Sequence, residues 1–217
     1  MVQKSEDPES PSAHRPRGRP RSFDTEATLG EATRVFWQRG YAATSMDDLS
    51  QATGLNRPSL YGAFGDKHAL YLQALRAYAA QADAAIAAAF EGRTVREGLA
   101  RVYALAVKLY LPEGAPGRGC LLIGTAASEA PRDEAIREAL GTALGGFTAA
   151  FEARLRRGME EGELPPGTDA AMRAQVAAAV MHSMALRARA GDSRAALEAL
   201  AAAGVELVLS PPGTAAP

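Results

Sequence analysis

Cysteine, tryptophan and histidine are all scarce in this chain: one, one and three copies among 217 residues. The lone thiol, Cys120, excludes an intramolecular disulfide framework and a multi-thiolate metal site within one chain, and it fits a reducing cytoplasm. The histidines, His14, His68 and His182, are scattered too widely to suggest a metal-ligand pair, and no metal or cofactor is expected. The chain lacks a Gly-x-Ser-x-Gly elbow, a phosphate loop and a His-Glu-x-x-His helix, while Gly117-Arg118-Gly119 follows no strand and completes no dinucleotide fingerprint. Enzymatic chemistry is therefore not expected. There is no run of about 18 apolar residues, and the first twenty residues are polar with no apolar signal core, so neither a membrane span nor export is expected.

Net charge is also nearly absent, at −1, so any preference for a charged partner has to come from how the charges are distributed. Arg15, Arg17, Arg19 and Arg21 crowd into one short stretch without an acid between them. Residues 69 to 217, by contrast, balance 15 basic against 16 acidic side chains, so any nucleic-acid footprint belongs to the N-terminal part. What the chain has in abundance is alanine. It supplies much of the 47% apolar content and suits close-packed helices better than sheets, which predicts an all-α protein of about nine helices.

Residues 1–22 carry no hydrophobic periodicity and read as a disordered tail ending in a basic arm. A first helix starts after Asp24 and runs through Leu29, Ala32, Val35, Phe36 and Trp37 to Gly40. Thr44 or Ser45 caps a short second helix, with Asp47 and Asp48 in its first turn, which ends near Thr53-Gly54. Asn56 caps a third that admits Pro58 in its first turn and presents Leu60, Tyr61 and Phe64 as its apolar side. Asp66 caps a long fourth helix reaching toward Phe90. Further helices are expected over about 95–111, 132–161, 169–190 and 193–209, and the apolar run Cys120-Leu121-Leu122-Ile123 is also read as helical. The expected division is a three-helix domain over 23–68, a larger helical domain over 69–210 and a frayed tail over 211–217.

Two short helices flanking a Gly-containing turn, close behind a longer one, outline a helix-turn-helix. Thr44-Ser45-Met46-Asp47-Asp48-Leu49, Thr53-Gly54-Leu55 and Pro58 through Lys67, with Phe36 and Gly40-Tyr41 ahead of them, closely resemble the DNA-binding domain of the tetracycline-repressor (TetR) family. Ser50 and Thr53 stand where that family usually has alanine, and Ala63 replaces a common histidine. A short helix offered end-on fits the major groove, where Asn56, Arg57 and Ser59 supply donors and acceptors to base edges or phosphates. Tyr61 adds a phosphate or sugar contact, or packs partly into the core. Thr44 and Lys67 are placed at helix starts to grip phosphates. Leu49, Leu55, Leu60 and Phe64 form the small core that fixes the angle between the helices.

The arm Pro16-Arg17-Gly18-Arg19-Pro20-Arg21 resembles the AT-hook core, which lies extended in the narrow minor groove of A·T-rich DNA and places Arg17 and Arg19 there. Alternatively it is a solubilising basic tail, or the mark of an architectural protein that binds many A·T-rich duplexes alike.

The resemblance implies a homodimer on palindromic operator DNA, released when a small, apolar or reactive effector binds the larger domain. Tyr103, Val107, Tyr110, Phe147, Phe151, Met181 and Met184 are candidates to line its pocket, or are simply core; His182 is a candidate ligand or an interior histidine. Cys120 sits in a Gly-Cys-Leu segment similar to that of a subset of these regulators that sense electrophiles or oxidants through the thiol, with Arg118 and a helix start to favour thiolate. It can equally be a small buried hydrophobe, or the thiol of a helical redox enzyme. Met172, Val176 and Val180 on one terminal helix, and Leu197, Leu200, Gly204 and Leu207 on the other, are candidates for the dimer face or for an intramolecular core.

Overall fold

A computed structural model describes residues 23–210, all of whose regular structure is helical. The helices are α1 (Thr25–Arg39), α2 (Met46–Thr53), α3 (Arg57–Phe64), α4 (Lys67–Phe90) and α5 (Val95–Tyr110). Then follow α6, a π-helical turn (Leu122–Ala126) that runs into a short α turn (Ala127–Glu129), and α7 (Glu134–Glu160), α8 (Ala170–Arg189) and α9 (Arg194–Leu209). Most of the boundaries are set by side-chain caps. Asp24, Asn56, Asp66, Asp133, Asp169 and Ser193 each accept a backbone N–H of the first turn that would otherwise lack a partner. Of the two residues expected to cap α2, Ser45 does so, in a reciprocal box with Asp48, and Thr94 with Glu97 does the same for α5.

Helices α1 to α3 fold onto the first turns of α4 through Phe36, Leu49, Leu60, Phe64 and Leu70, all buried. Gly54 makes the turn between α2 and α3 at φ 69°, a conformation that a side chain resists. The hydroxyls of Ser50 and Thr53, where alanines were anticipated, are absorbed locally: they donate to the carbonyls of Leu55 and Leu49. Helix α4 then continues for 24 residues, about 36 Å at the helical rise, and carries the reading end into the body, where it packs on α5 and α7. Helices α8 and α9 close the other side against α5 and α7.

The apolar run at Cys120 differs from the expected plain helix. Its helical hydrogen bonding widens to a π turn over Leu122–Ala126, where the Thr125 hydroxyl donates to the Leu121 carbonyl at 2.8 Å and meets the Tyr71 hydroxyl at 2.6 Å. That buried pair ties α4 to α6, and burial pushes the Tyr71 phenol up to about 12.

Candidate nucleic-acid interface and interior cavity

Helix α3 separates its residues cleanly by exposure. Leu60 and Phe64 are buried, while Asn56, Arg57, Pro58 and Tyr61 face solvent, with Ser59 half-buried between them. Tyr61 is 49% exposed, which removes the reading of it as core and leaves its hydroxyl on the outer face. Asn56 spends its Oδ1 on the cap, accepting from the Ser59 N–H at 2.9 Å. Arg57 is held by a two-pronged ion pair to Asp47 of α2, with Nε donating to Oδ1 at 2.6 Å and Nη2 to Oδ2. Those hydrogen bonds hold the Asp47 carboxyl below its ordinary value and raise the guanidinium. Without DNA, the basic side chain most exposed on the reading helix therefore lies folded back on its neighbour in an orientation set by geometry rather than by chance.

Two residues expected to grip phosphates have different surroundings. Thr44 is 2% exposed and its hydroxyl donates to the Gly40 carbonyl at 2.6 Å, so its side chain braces the loop before α2 instead of meeting a phosphate. Lys67 donates to the carbonyls of Tyr41 and Thr44 at 3.1 and 2.9 Å and lies 4.3 Å from the centre of the Tyr41 ring, leaving one ammonium hydrogen uncommitted. Arg17 and Arg19 lie outside the described residues.

The body contains a cavity of about 230 Å³ between α4, α5, α7 and α8, reaching from buried Tyr110, Cys120 and Phe147 out to the exposed Ala85. Of the residues expected to line it, Tyr110, Cys120, Phe147 and Met181 do so. Tyr103, Val107, Phe151, His182 and Met184 do not. Tyr103 turns away to donate to the Ala177 carbonyl at 3.1 Å, and Val107, Phe151 and Met184 are fully packed core. His182 is half-buried with an unpartnered Nε2, and burial lowers its basicity. Sequence reasoning missed the opposite wall: Tyr78, Ala82, Ala85 and Ile86 of α4, and Val102, Leu105, Ala106 and Leu109 of α5. A signal for it exists in the three- and four-residue spacing of those positions, which puts each set on one helix face. Among the described residues no charged side chain lines the space, and the side chains there that carry a polar atom are Tyr78, Tyr110 and Cys120.

Cys120 is buried at the cavity wall, where its sulfur accepts a hydrogen bond from the Tyr78 hydroxyl at 3.4 Å. Burial pushes the thiol up, and the Arg118 guanidinium does not offset this because it stacks 4.0 Å from the centre of the Trp37 ring and donates to the Leu109 carbonyl. Of the two features expected to favour thiolate, Arg118 does not act on the sulfur, whereas the backbone N–H groups of Leu122 and Ile123 at the helix start do pull the thiol down, as the Tyr78 hydroxyl does, but by less than burial pushes it up. The same contacts connect the cavity to the reading end. Trp37 of α1 donates its indole N–H to the carbonyls of Arg118 and Gly119, at 3.2 and 3.1 Å, and meets the Tyr78 ring edge-on at 4.9 Å.

Helices α8 and α9 present a mixed outer face. Met172 and Leu207 are 64% and 61% exposed, and Leu186, toward the far end of α8, is 55% exposed. Val176, Val180 and Leu200 are half-buried. Leu197 and Gly204, expected at a dimer face, belong to the core instead. Leu197 is wholly buried, and a Cβ on Gly204 would come within 2.7 Å of Val180 in the same chain, so this glycine serves the α8–α9 approach.

Comparison with known proteins matches two family models: "Bacterial regulatory proteins, tetR family" over residues 29–74 and "Tetracyclin repressor-like, C-terminal domain" over residues 98–203. The HTH-type transcriptional repressor ComR of Escherichia coli (strain K12) is 32% identical over 181 residues, which is 82% of this chain and 85% of that protein. Among solved structures, a cysteine mutant of the TetR family regulator CifR, complexed with a 26-bp double-strand operator DNA, superimposes with a TM-score of 0.79. It is 34% identical, and the match covers 87% of this chain and 98% of that one. The reduced form of NemR from E. coli, at 22% identity, has the same fold, with a TM-score of 0.76 over 88% of this chain and 98% of its own.

Proposed function

This chain belongs to the tetR family of bacterial regulatory proteins, and from that premise we propose that it represses transcription as a homodimer on a palindromic operator until a small molecule enters the cavity in its body. It is a DNA-binding transcription regulator; repression, palindromic pairing and effector control are the added steps. The observation that carries the reading is the exposed face of α3, with Arg57 and Tyr61 outward on a helix anchored by buried Leu60 and Phe64. The CifR relative is seen in complex with operator DNA, and ComR is named a repressor, which supports the same assignment here. Residues 23–68 act as the reading head, with Asn56, Arg57, Ser59 and Tyr61 at the groove, Lys67 beside the backbone, and Arg17 and Arg19 in the neighbouring minor groove. Residues 69–210 sense and pair. The exposed apolar side chains Met172, Leu186 and Leu207, with Val176, Val180 and Leu200 at their edge, form the self-complementary patch that a two-fold dimer requires.

Selection from random duplexes with the purified chain tests this directly. An inverted repeat whose half-sites lie about one helical turn apart is the expected product. Recovery of unrelated A·T-rich duplexes with equal affinity identifies an architectural protein instead, and no preference at low ionic strength discards the reading altogether.

The cavity suits an uncharged, largely apolar effector, since nothing in its lining pairs with a charge. A reactive effector is the second reading, favoured by the position of the Cys120 sulfur at the cavity wall with the Tyr78 hydroxyl against it. In that case Cys120→Ser abolishes operator release by an electrophile or peroxide but leaves release by an unreactive apolar compound intact; equal release from both proteins rejects it.

A further inference from the structure

A second cleft, about 520 Å³, lies between α1, the loop before Cys120 and the end of α8. Its lining differs in kind from that of the cavity in the body. Three arginines contribute to it, Arg34 from α1, Arg118 from the loop and Arg189 from the end of α8, together with Gln38, and among the described residues no acidic side chain does. Pro112 and Pro116, which bring no N–H, complete a wall that leaves the guanidinium groups as the dominant donors.

Arg34 and Arg189 are exposed, and Arg118 is the one partly withdrawn from water. Arg118 uses only its Nε, on the Leu109 carbonyl at 3.0 Å, and lies flat on the Trp37 ring, so both of its terminal nitrogens keep their hydrogens unbonded among the described residues. Arg189 reaches only the Arg118 carbonyl, at 3.5 Å. Neither has a carboxylate partner among the described residues; Arg34 has Glu31 one turn back on its own helix, a pair well exposed to water. Burial, with the like charge of Arg34 as a lesser cause, pulls the Arg118 guanidinium below its ordinary value. Like charges gathered around a partly buried guanidinium repel, an anion relieves that repulsion, and planar guanidinium groups pair with two-oxygen anions through parallel hydrogen bonds.

We propose that the cleft between α1 and the 112–118 loop is a binding site for a small organic or phosphorylated anion, held by Arg118 and Arg189 from the body and Arg34 from the head. The site lies outside the cavity in the body, takes the opposite chemical class of ligand, and ties the head to the body. A bound anion gives α1 and the 112–118 loop a common counter-charge and so stiffens the seam that Trp37 already holds.

Direct binding tests the site without reference to DNA, so its outcome is separable from that of the operator assignment. The full chain is titrated calorimetrically with citrate and, separately, with pyrophosphate, at ionic strength held constant with sodium chloride. Saturable binding of one anion per protomer is expected for at least one probe, and which probe saturates distinguishes a carboxylate site from a phosphate site. Affinity should fall at least tenfold in Arg118→Gln and in Arg189→Gln, and stay unchanged in Arg101→Gln, an exposed arginine of α5 outside the cleft. Circular dichroism establishes that each variant is folded, and Arg189→Gln keeps the test decisive if Arg118→Gln disturbs the loop. Heat that follows ionic strength without saturating, or affinity undiminished in both cleft variants, overturns the proposal.

Discussion

The reading head and the body solve opposite problems, the head with short helices poor in alanine and the body with long helices rich in it. In the head, the residues offered to a partner stand outside a very small core, and their placement depends on two caps, one glycine turn and a few buried side chains. In the body, most of the residues offered to a ligand are core residues that leave a gap between four helices, open toward Ala85. A head of this kind is rigid because its frame is local. The cavity has a shape only because distant segments meet, and a change in any of them alters it.

The most severe way to break this contrast is to remove the anchor of the head. Leu60 is fully buried, and Leu60→Ala should cost about 2–5 kcal/mol, in the range measured for buried leucines. For so small a frame this means loss of specific operator binding by two orders of magnitude or more in a mobility-shift titration, while thermal unfolding still shows the cooperative transition of the body. Arg57→Ala tests the surface of the head rather than its frame. A well-made arginine contact is worth about 1–3 kcal/mol, so operator affinity should drop roughly 10- to 100-fold with no change in the melting curve.

A third substitution fills the body's gap. Ala106→Phe projects a ring into the cavity and should abolish binding of naphthalene, a neutral apolar probe, measured by fluorescence. Because the ring fills the space an effector would occupy, operator affinity without the probe should fall about fivefold or more; unchanged affinity would mean that filling the cavity is not what releases the operator. The smallest effect is expected from Asp47→Asn, which frees Arg57 from its partner on α2. Binding to non-specific DNA should tighten two- to threefold, read by anisotropy at low salt. Because the Asp47 carboxyl is held below its ordinary value, the ion pair contributes above the normal carboxylate range and is lost only as pH falls through the lowered value. The difference between variant and parent should therefore persist across pH 6–8.

How much was legible in the sequence follows the same division. Asp24, Asn56, Gly54 and Pro58 announce the helices of the head because caps and turns act over three or four residues, and the outward residues of α3 follow from its short period. Thr44 is not on the outer face, and nothing local shows that its hydroxyl finds the Gly40 carbonyl. In the body, Tyr110, Cys120, Phe147 and Met181 were found, but the α4 wall at Tyr78, Ala82 and Ile86 was not. Alanines on a connecting helix look like filler until the helices facing them are known, and no sequence pattern tells a packed Val107 from an exposed cavity wall one turn away. Gly204 shows the same ambiguity: a glycine that lets two helices touch reads alike whether the second helix belongs to this chain or to another.

The chain's one tryptophan lies where this division matters most. Trp37 belongs to the head, yet its indole N–H is bonded to the body and its face is covered by Arg118. Its emission is therefore an optical gauge built into the seam: blue and shielded while head and body are docked, shifting to longer wavelength as they part. Movement across the joint can be followed in unlabelled protein, in real time, against a background of six tyrosines.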